Sequence, residues 1–256
     1  MSDFDIQKSF HEVGLKENDI VMIHGNGGVA AQYNQIPMDK RLNYLIDQIK
    51  DYFSLGTVLV PAFSYSFTKN EDFDANITPS EVGLFSECFR SGSDIIRTNH
   101  PIFSVSAWGK SSQDFIDGVN TDCFGPNTFF EKIHKYNVKL VALGCDFSTL
   151  TFAHYVEQKK NVSYRYFKNF PGNIIAGDNK TKVNTSYYVR DINLNSGANL
   201  KILNELALKN NLLLKASAGR FPIQVINSSN FFSLAMELLS KDEYSLINEG
   251  VITNEI

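Results

Sequence analysis

The sequence has few cysteines, little net charge and no long hydrophobic run. Its three cysteines, Cys88, Cys123 and Cys145, lack CxxC spacing, which disfavours a disulfide framework and a structural zinc site. We expect reduced thiols. A net charge of −4 provides no basic surface for nucleic acid. No window approaches the roughly 18 apolar residues of a membrane span. We therefore expect neither a nucleic-acid partner nor a membrane span.

The length favours one domain. A chain of 256 residues is long for one domain and short for two, so we predict a single domain over residues 1–256. A hydrophobic fraction of 43%, with 20 Phe and 11 Tyr, supplies a large core. The segment from Met1 to Asp5 is acidic and polar, where a secretory signal is basic and then apolar. We expect a cytoplasmic protein.

Short apolar runs followed by loops predict a sheet in the first half. The runs at 19–24, 56–61 and 138–143 have the composition of buried strands, and the first ends in the glycine-rich segment 25–28. Apolar residues at helical spacing predict helices over 3–14 and 38–53. Strands that alternate with helices are typical of an α/β fold with a central, mostly parallel sheet flanked by helices.

The second half is less regular. Alternating residues at 162–167 and 182–190 predict two exposed strands around a Pro171-Gly172 turn, that is, an antiparallel hairpin. Amphipathic helices are expected at 199–208 and 231–239, with a strand at 221–226 between them.

One pair of residues indicates chemistry. His154 and Glu157 are three positions apart and share a face if the segment is helical. An imidazole oriented by a carboxylate is a common general base near neutral pH. From spacing alone, a helix-surface salt bridge fits equally well. A metal site is disfavoured because the sequence shows no third ligand, and we predict no metal.

The other histidines and the glycine-rich turn are ambiguous. The segment 25–28 matches neither a dinucleotide fingerprint nor a P-loop and is by itself a tight turn. His24, at the end of a strand, occupies a usual site position in an open α/β sheet, although a structural histidine fits as well. His100, before Pro101, either lines or caps a cleft. His11 and His134 are expected on the surface.

Several separated segments, which occur in the same order along the chain as in the family, resemble the aminoglycoside 3-N-acetyltransferases. The fold of this family is distinct from that of GNAT enzymes. The match covers about residues 4–160 and returns weakly near 221–239. The segments that carry it are the strand ending in His24; Gly56-Thr57-Val58-Leu59-Val60-Pro61-Ala62-Phe63-Ser64; Phe73-Asp74 with Thr78-Pro79-Ser80 and Gly83-Leu84; Arg97 to Pro101 with Ser104 and Gly109; Phe124-Gly125-Pro126 with Phe130-Glu131-Lys132; and Leu143-Gly144 with Thr151, His154 and Glu157.

The resemblance implies an acyl-coenzyme A dependent N-acyltransferase that works through a ternary complex. His154 would take the proton from the attacking amine, and Glu157 would orient His154. Acetyl-coenzyme A, or another acyl-coenzyme A, would be the co-substrate. Its contacts would come from His24, Gly25, Asn26, Gly27, Gly28, Ser64 and Ser104. A hydrolase that uses the same pair on water and a non-catalytic binding protein are the alternatives.

The acceptor implied by the resemblance is a small-molecule amine. Gly25 and Asn26 stand where the family usually has serine or threonine, so the cofactor contacts of this loop differ. A polycationic aminoglycoside needs several converging carboxylates, and the candidate acceptor residues are Asp74, Glu81, His100 and Asp122. The region 164–188 suits a neutral sugar face or a linked phosphate. We expect an amino sugar, either a surface-polysaccharide or nucleotide-sugar precursor or an aminoglycoside antibiotic. The oligomeric state is open, and a homodimer is one alternative.

Overall fold

A computed structural model describes residues 4–118 and 120–248 of the chain. The first three residues of the N-terminal segment and both ends of the predicted 1–256 domain lie outside the described residues. The strands are β1 Ile20–Gly25, β2 Thr57–Pro61, β3 Phe73–Asp74, β4 Ile96–Arg97, β5 Val105–Gly109, β6 Lys139–Leu143, β7 Arg165–Ala176, β8 Asn179–Arg190, β9 Leu213–Ala218 and β10 Phe221–Asn227.

The helices lie between these strands. The α-helices are α1 Ile6–Glu12, α2 Arg41–Tyr52, α3 Leu84–Arg90, α4 Ser112–Ile116, α5 Phe129–Lys135, α6 Phe152–Lys160, α7 Lys201–Lys209 and α8 Ser228–Lys241. Short 3₁₀ helices span Gly27–Gln32, Met38–Lys40, Ser66–Lys69 and Phe147–Thr149. None of the helices in the described part of the chain is both long enough and apolar enough to cross a bilayer.

A seven-stranded sheet forms the centre, in the order β4-β5-β2-β1-β6-β10-β9. β1 runs parallel to β2 and to β6, and the strands outside these three pair antiparallel to their neighbours. The predicted α/β class with central parallel strands and flanking helices is confirmed. The antiparallel extensions on both sides were not apparent from the sequence.

Alternating side chains of the central strands pack against two helical layers. Val21 and Ile23 of β1 lie in a core shared with α1, α2 and α3, whereas Met22 faces the other side, toward α5, α6 and α8. This alternation follows from the two-residue period of a strand. His24 is two residues after Met22, so its side chain points to the face that α6 covers.

The predicted hairpin is present, but its turn is elsewhere. β7 and β8 pair from Arg165↔Arg190 to Ala176↔Asn179, so the chain reverses at 177–178, where Gly177 has φ +58°. The predicted turn at Pro171-Gly172 is wrong. Pro171 pairs with Asn184 within the ladder. The other edge of β7 meets β3 only at Ile174 and Ile175, and proline is tolerated on such an open edge because it has no N–H to leave unpaired.

Candidate active site

The carboxyl ends of β1, β2 and β6 meet at one edge of the sheet and open into a cavity of about 550 Å³. Ligands of open α/β sheets commonly bind beyond the carboxyl ends of parallel strands. The predicted residues His24, Gly25, Asn26, Gly27 and Gly28 all line this cavity. Its other walls are Pro61, Phe63, Tyr65, Val82, Gly83, Leu84, Ser86, Cys145, Thr149 and Thr151.

Asn26 holds the glycine-rich loop in place. Its Oδ1 accepts a hydrogen bond from Gly28 N at 2.8 Å, and its Nδ2 donates to Gly144 O at 3.1 Å. Gly25 packs against Phe85, and a Cβ added at Gly25 would lie 2.5 Å from the ring atom Cδ1. The two departures from the family pattern therefore have structural roles: the amide joins two loops, and the glycine admits an aromatic ring.

The helix α6 carries His154 and Glu157. Phe152, Ala153, Tyr155 and Val156 are buried in the core, and the helix ends at Asn161, which has φ +57° and serves as a left-handed C-cap. The i, i+3 spacing places His154 Nδ1 2.7 Å from Glu157 Oε2. The carboxylate is 1% exposed and the imidazole 21% exposed. This is a buried carboxylate behind an accessible histidine, and it differs from the surface salt bridge that the spacing also allowed.

Two residues of the hairpin segment complete the surroundings of Glu157. Tyr164 donates its hydroxyl to Glu157 Oε1 at 2.9 Å. Arg165 Nε lies 2.9 Å from Glu157 Oε2, as an ion pair without the alignment of a hydrogen bond. Both residues are buried, so the prediction of an exposed strand at 162–167 is wrong for this part. Sequence reasoning missed their role, because only burial of these residues beside α6 identifies them.

The charge states suit a base. Burial lowers the pKa of His154, and the positive charges of Arg165 and Arg190 lower it further, against the opposing effect of Glu157. Burial by itself would raise the pKa of Glu157, but His154, Arg165 and Tyr164 outweigh it, and the pKa falls below its usual value. An ionised carboxylate thus lies behind a neutral imidazole. His154 Nε2 makes no hydrogen bond to any residue that the structure describes.

His24 connects the glycine loop to α6. Its Nε2 lies 3.4 Å from both the backbone nitrogen and Oγ1 of Thr151. Thr151 lines the cavity and precedes His154 by three residues, which is about one helical turn. Burial lowers the pKa of His24 to about 4, so its imidazole is neutral at physiological pH. His154 does not line the cavity itself and lies one turn along α6, with its ring 5.7 Å from that of Phe124.

Two predicted acceptor residues, Glu81 and Asp74, and the predicted cofactor residue Ser64 do not line the cavity, although Ser64 and Glu81 adjoin its wall residues Tyr65 and Val82 in the chain. Glu81 Oε1 accepts hydrogen bonds from Tyr65 N at 2.6 Å, Ser66 N at 3.0 Å and Ser64 Oγ at 3.2 Å. Ser64 is 1% exposed. Asp74 is half-buried and accepts from Asn76 N. Both carboxylates are thus engaged by the chain's own donors.

His100 and Ser104 do not reach the cavity. His100 is 2% exposed, and its Nδ1 accepts hydrogen bonds from Ile102 N and Phe103 N. Its Nε2 donates to Asp122 O at 3.2 Å. Ser104 is fully buried, donates to Ala62 O at 2.7 Å and accepts from Arg97 Nε at 3.0 Å. Their polar atoms hold the 97–105 segment together, so the geometry does not support contacts from these two side chains to acceptor or cofactor.

Cys145 lines the cavity, whereas Cys88, Cys123, His11 and His134 are not among its wall residues. Cys88, Cys123 and Cys145 are unpaired, and Cys145 Sγ donates to His24 O at 3.1 Å. His11 is exposed, as predicted, whereas His134 is half-buried, with its ring 4.3 Å from that of Phe232. Among the described residues, no group of three or more His, Cys, Asp or Glu side chains is arranged to hold a metal ion.

Comparison with known proteins supports the resemblance seen in the motifs. The chain is 23% identical over 185 residues to the SPbeta prophage-derived aminoglycoside N(3')-acetyltransferase-like protein YokD of Bacillus subtilis (strain 168), an alignment that covers 60% of this chain and 64% of that protein, just under two thirds of its length. The crystal structure of YokD superposes with a TM-score of 0.79 at 18% identity and covers 94% of both chains. A structure of AAC-IIIb as a binary complex with CoASH superposes with a TM-score of 0.79 at 16% identity, covering 96% of this chain and 97% of that one.

The fold is therefore shared with these proteins. A sequence model described as Aminoglycoside 3-N-acetyltransferase matches residues 33–240, which is well over half of the chain. This protein belongs to the aminoglycoside 3-N-acetyltransferase family, as the order of its motifs predicts.

Proposed function

We propose that this protein is an acyl-coenzyme A dependent N-acyltransferase that acts on the amine of an amino sugar. One observation carries the proposal: a neutral histidine with a free Nε2, 2.7 Å from a buried carboxylate, lies one helical turn from the cavity at the strand ends. Membership in a family of N-acetyltransferases supports the same reaction class.

The cavity fits a coenzyme A thioester as co-substrate. Pro61, Phe63, Val82 and Leu84 provide apolar walls suited to a pantetheine arm. The backbone of the 25–28 loop is open to close approach because glycines stand at three of its four positions. A relative of the same fold is described with CoASH bound. Acetyl-coenzyme A is therefore the co-substrate we propose, with no metal involved.

His154 moves the proton in this reaction. The neutral amine attacks the acyl carbon, the carbon–sulfur bond breaks, and the coenzyme leaves as a thiolate. An amine becomes acidic as it adds to a carbonyl, and His154 Nε2 accepts its proton. Glu157 holds Nδ1 and stabilises the imidazolium that forms. No acyl-enzyme is needed, because the amine attacks the thioester directly.

The charges near the site favour an acceptor with fewer amines than an aminoglycoside. Relatives of this fold are described in complexes with a gentamicin, with apramycin and with sisomicin. Here two of the candidate acceptor carboxylates, Glu81 and Asp74, are already engaged by the chain's own backbone donors. On the hairpin, Tyr166 is 50% exposed and Phe167 58% exposed, and such rings suit stacking on a sugar face. We propose an amino sugar from a surface-polysaccharide or nucleotide-sugar precursor as the preferred acceptor.

The test measures free thiol with acetyl-coenzyme A and three amines: a polycationic aminoglycoside, a free amino sugar and a nucleotide-linked amino sugar. We expect thiol release that depends on the amine, an N-acetylated product by mass spectrometry, and the higher kcat/KM with one of the two amino sugars. Release without any amine would instead support a deacylase or thioesterase. If neither acetyl-coenzyme A nor longer acyl thioesters release thiol with any of these amines, the proposal is wrong. The homodimer and the single domain stay predictions.

A further inference from the structure

Two side chains converge on one nitrogen of the proposed base. His154 Nδ1 lies 2.7 Å from Glu157 Oε2 and 2.9 Å from Arg165 Nη2, and the same Arg165 reaches Glu157 Oε2 with Nε at 2.9 Å. The side chain of Arg165 is 3% exposed. Its Nη1 donates to Tyr188 O at 3.3 Å, which anchors the guanidinium to β8. The arginine is therefore a fixed part of the surroundings of His154.

Glu157 and Arg165 require opposite protonation states of His154 Nδ1. An ionised carboxylate only accepts, so Glu157 requires a proton on Nδ1, whereas a guanidinium only donates, so Arg165 requires a lone pair there. The shorter contact is the one to Glu157. The proton then resides on Nδ1 and the lone pair on Nε2, the nitrogen that makes no bond within the described structure. Arg165 cannot hydrogen-bond to Nδ1 in this state and acts on His154 by its charge.

Arg165 balances the negative charge of Glu157, and this affects the protonation state of His154. A buried carboxylate needs a positive partner. Arg165 provides one, so the pair formed by Glu157 and Arg165 is neutral, and His154 stays uncharged beside it. Without Arg165, Glu157 would gain a counter-ion by protonating His154. A protonated His154 has no lone pair and cannot accept a proton from an amine.

We propose that Arg165 is a positioning residue that supplies the counter-charge of Glu157 and thereby keeps His154 neutral and able to act as a base. The inference rests on the proposed function for its consequence in catalysis. Its charge balance concerns the free protein and can be measured without any substrate.

The other groups around His154 agree with this assignment. Arg190 of β8 adds a second positive charge that disfavours the imidazolium. Tyr164 donates to the second oxygen of Glu157 and brings no charge. Tyr188 donates its hydroxyl to Val162 O, away from the pair, and Phe124 contributes only a ring. Of the groups named here, Glu157 is thus the one that favours protonation of His154. Arg165 is the positive group nearest to His154 Nδ1 and offsets this effect of Glu157.

The first measurement is the pKa of His154 in the wild-type protein, from an NMR titration of ring-labelled histidine. We expect a value at or below the ordinary histidine pKa of about 6.5, despite the carboxylate at 2.7 Å. A His154 that titrates above that range in the wild-type protein would overturn the proposal, whether or not any variant folds.

The second measurement compares variants in the same titration. Arg165→Gln should raise the pKa of His154 by about one unit or more, because it removes a positive charge that disfavours the imidazolium, and a full charge within hydrogen-bonding range shifts a pKa by roughly 1–3 units. Arg165→Lys keeps the charge and should raise it less. The double variant Arg165→Gln/Glu157→Gln should lose the rise, because the carboxylate that demands a proton is gone. A matched control is Lys182→Gln, which removes one positive charge from an exposed position of the same hairpin and should leave the pKa unchanged.

Kinetics supply the catalytic readout. In Arg165→Gln, the acidic limb of the kcat/KM profile should move to higher pH by the same amount as the NMR value, with activity recovered at alkaline pH. A purely structural arginine would lower activity at all pH values without moving the limb, and that result would contradict the proposal. If the wild-type protein transfers no acyl group at all, the proposed function fails, while the titrations still decide the charge balance.

Discussion

His24 and Thr151, 127 positions apart in the chain, lie 3.4 Å from each other through His24 Nε2 and both the backbone nitrogen and hydroxyl of Thr151. This contact joins the end of β1 to the first turn of α6. The glycine loop and His154 lie on either side of it. Because Thr151 donates its N–H to Nε2, His24 must be neutral for the contact to exist, and its low pKa ensures this at physiological pH.

The buried histidines should make stability depend on pH. Burial lowers the pKa of His24 and His100 to about 4, whereas both titrate near 6.5 when unfolded. Between these values the unfolded chain binds more protons than the folded one, so the free energy of unfolding falls as the pH drops from 6.5 toward 4. We expect a loss of up to roughly 3 kcal/mol for each histidine, measured by urea unfolding at several pH values.

Variants of individual histidines test which residue causes the pH dependence of the unfolding free energy. His24→Asn should reduce the pH dependence of the unfolding free energy, because one titrating group is removed. His11→Gln replaces an exposed histidine and should leave the slope unchanged. A slope that is the same in the wild-type protein and in His24→Asn would contradict the assignment of this buried histidine.

Removal of the proposed base should abolish most activity and spare the fold. His154→Ala deletes the proton acceptor, and general-base catalysis contributes roughly a hundred- to ten-thousandfold to rate, so kcat should fall within that range. Circular dichroism and urea unfolding check that the protein is folded. His11→Ala is the matched control and should retain wild-type kcat. Full activity in His154→Ala would refute the assignment of the base.

Restoring a side chain at Gly25 should destabilise the protein. In Gly25→Ala the new Cβ lies 2.5 Å from the Phe85 ring, and overpacking of this kind costs about 1–3 kcal/mol. Gly27→Ala is a control in the same loop, because its nearest contact is 3.5 Å, to Leu84 Cβ. The measurement is the difference in unfolding free energy between the two variants. Equal unfolding free energies of Gly25→Ala and Gly27→Ala would contradict this prediction, because they would show that the loop or the Phe85 ring shifts at little cost.

Ser104 should affect stability more than cofactor affinity. Ser104→Ala removes the bond to Ala62 O and leaves Arg97 Nε without this acceptor, at a cost of about 1–3 kcal/mol. The KM for acetyl-coenzyme A should stay at its wild-type value. A rise in KM with an unchanged unfolding free energy would instead support the direct contact from Ser104 to the coenzyme that the resemblance implies.

The position of the glycine loop at the site could be predicted from the sequence, whereas the role of Ser104 could not. Residues 24–28 lie at and just beyond the carboxyl end of β1, where open α/β sheets commonly bind ligands, so their position in the chain made them site candidates. Ser104 belongs to a motif too. The resemblance assigned it a role in binding, yet a motif does not say whether a hydroxyl faces a cavity or a neighbouring carbonyl.

By itself, the sequence determined the features that depend on local spacing: the apolar runs that form β1, β2 and β6, the presence of a hairpin though not its turn, and the i, i+3 pair of His154 and Glu157 on a helix. Only the tertiary structure decided what surrounds that pair. Arg165 reaches Glu157 because β7 packs beside α6, and His24 reaches Thr151 because β1 ends under the same helix. Such contacts follow from the packing of strands and helices, which places residues far apart in the chain within a few ångströms, and no local periodicity encodes them.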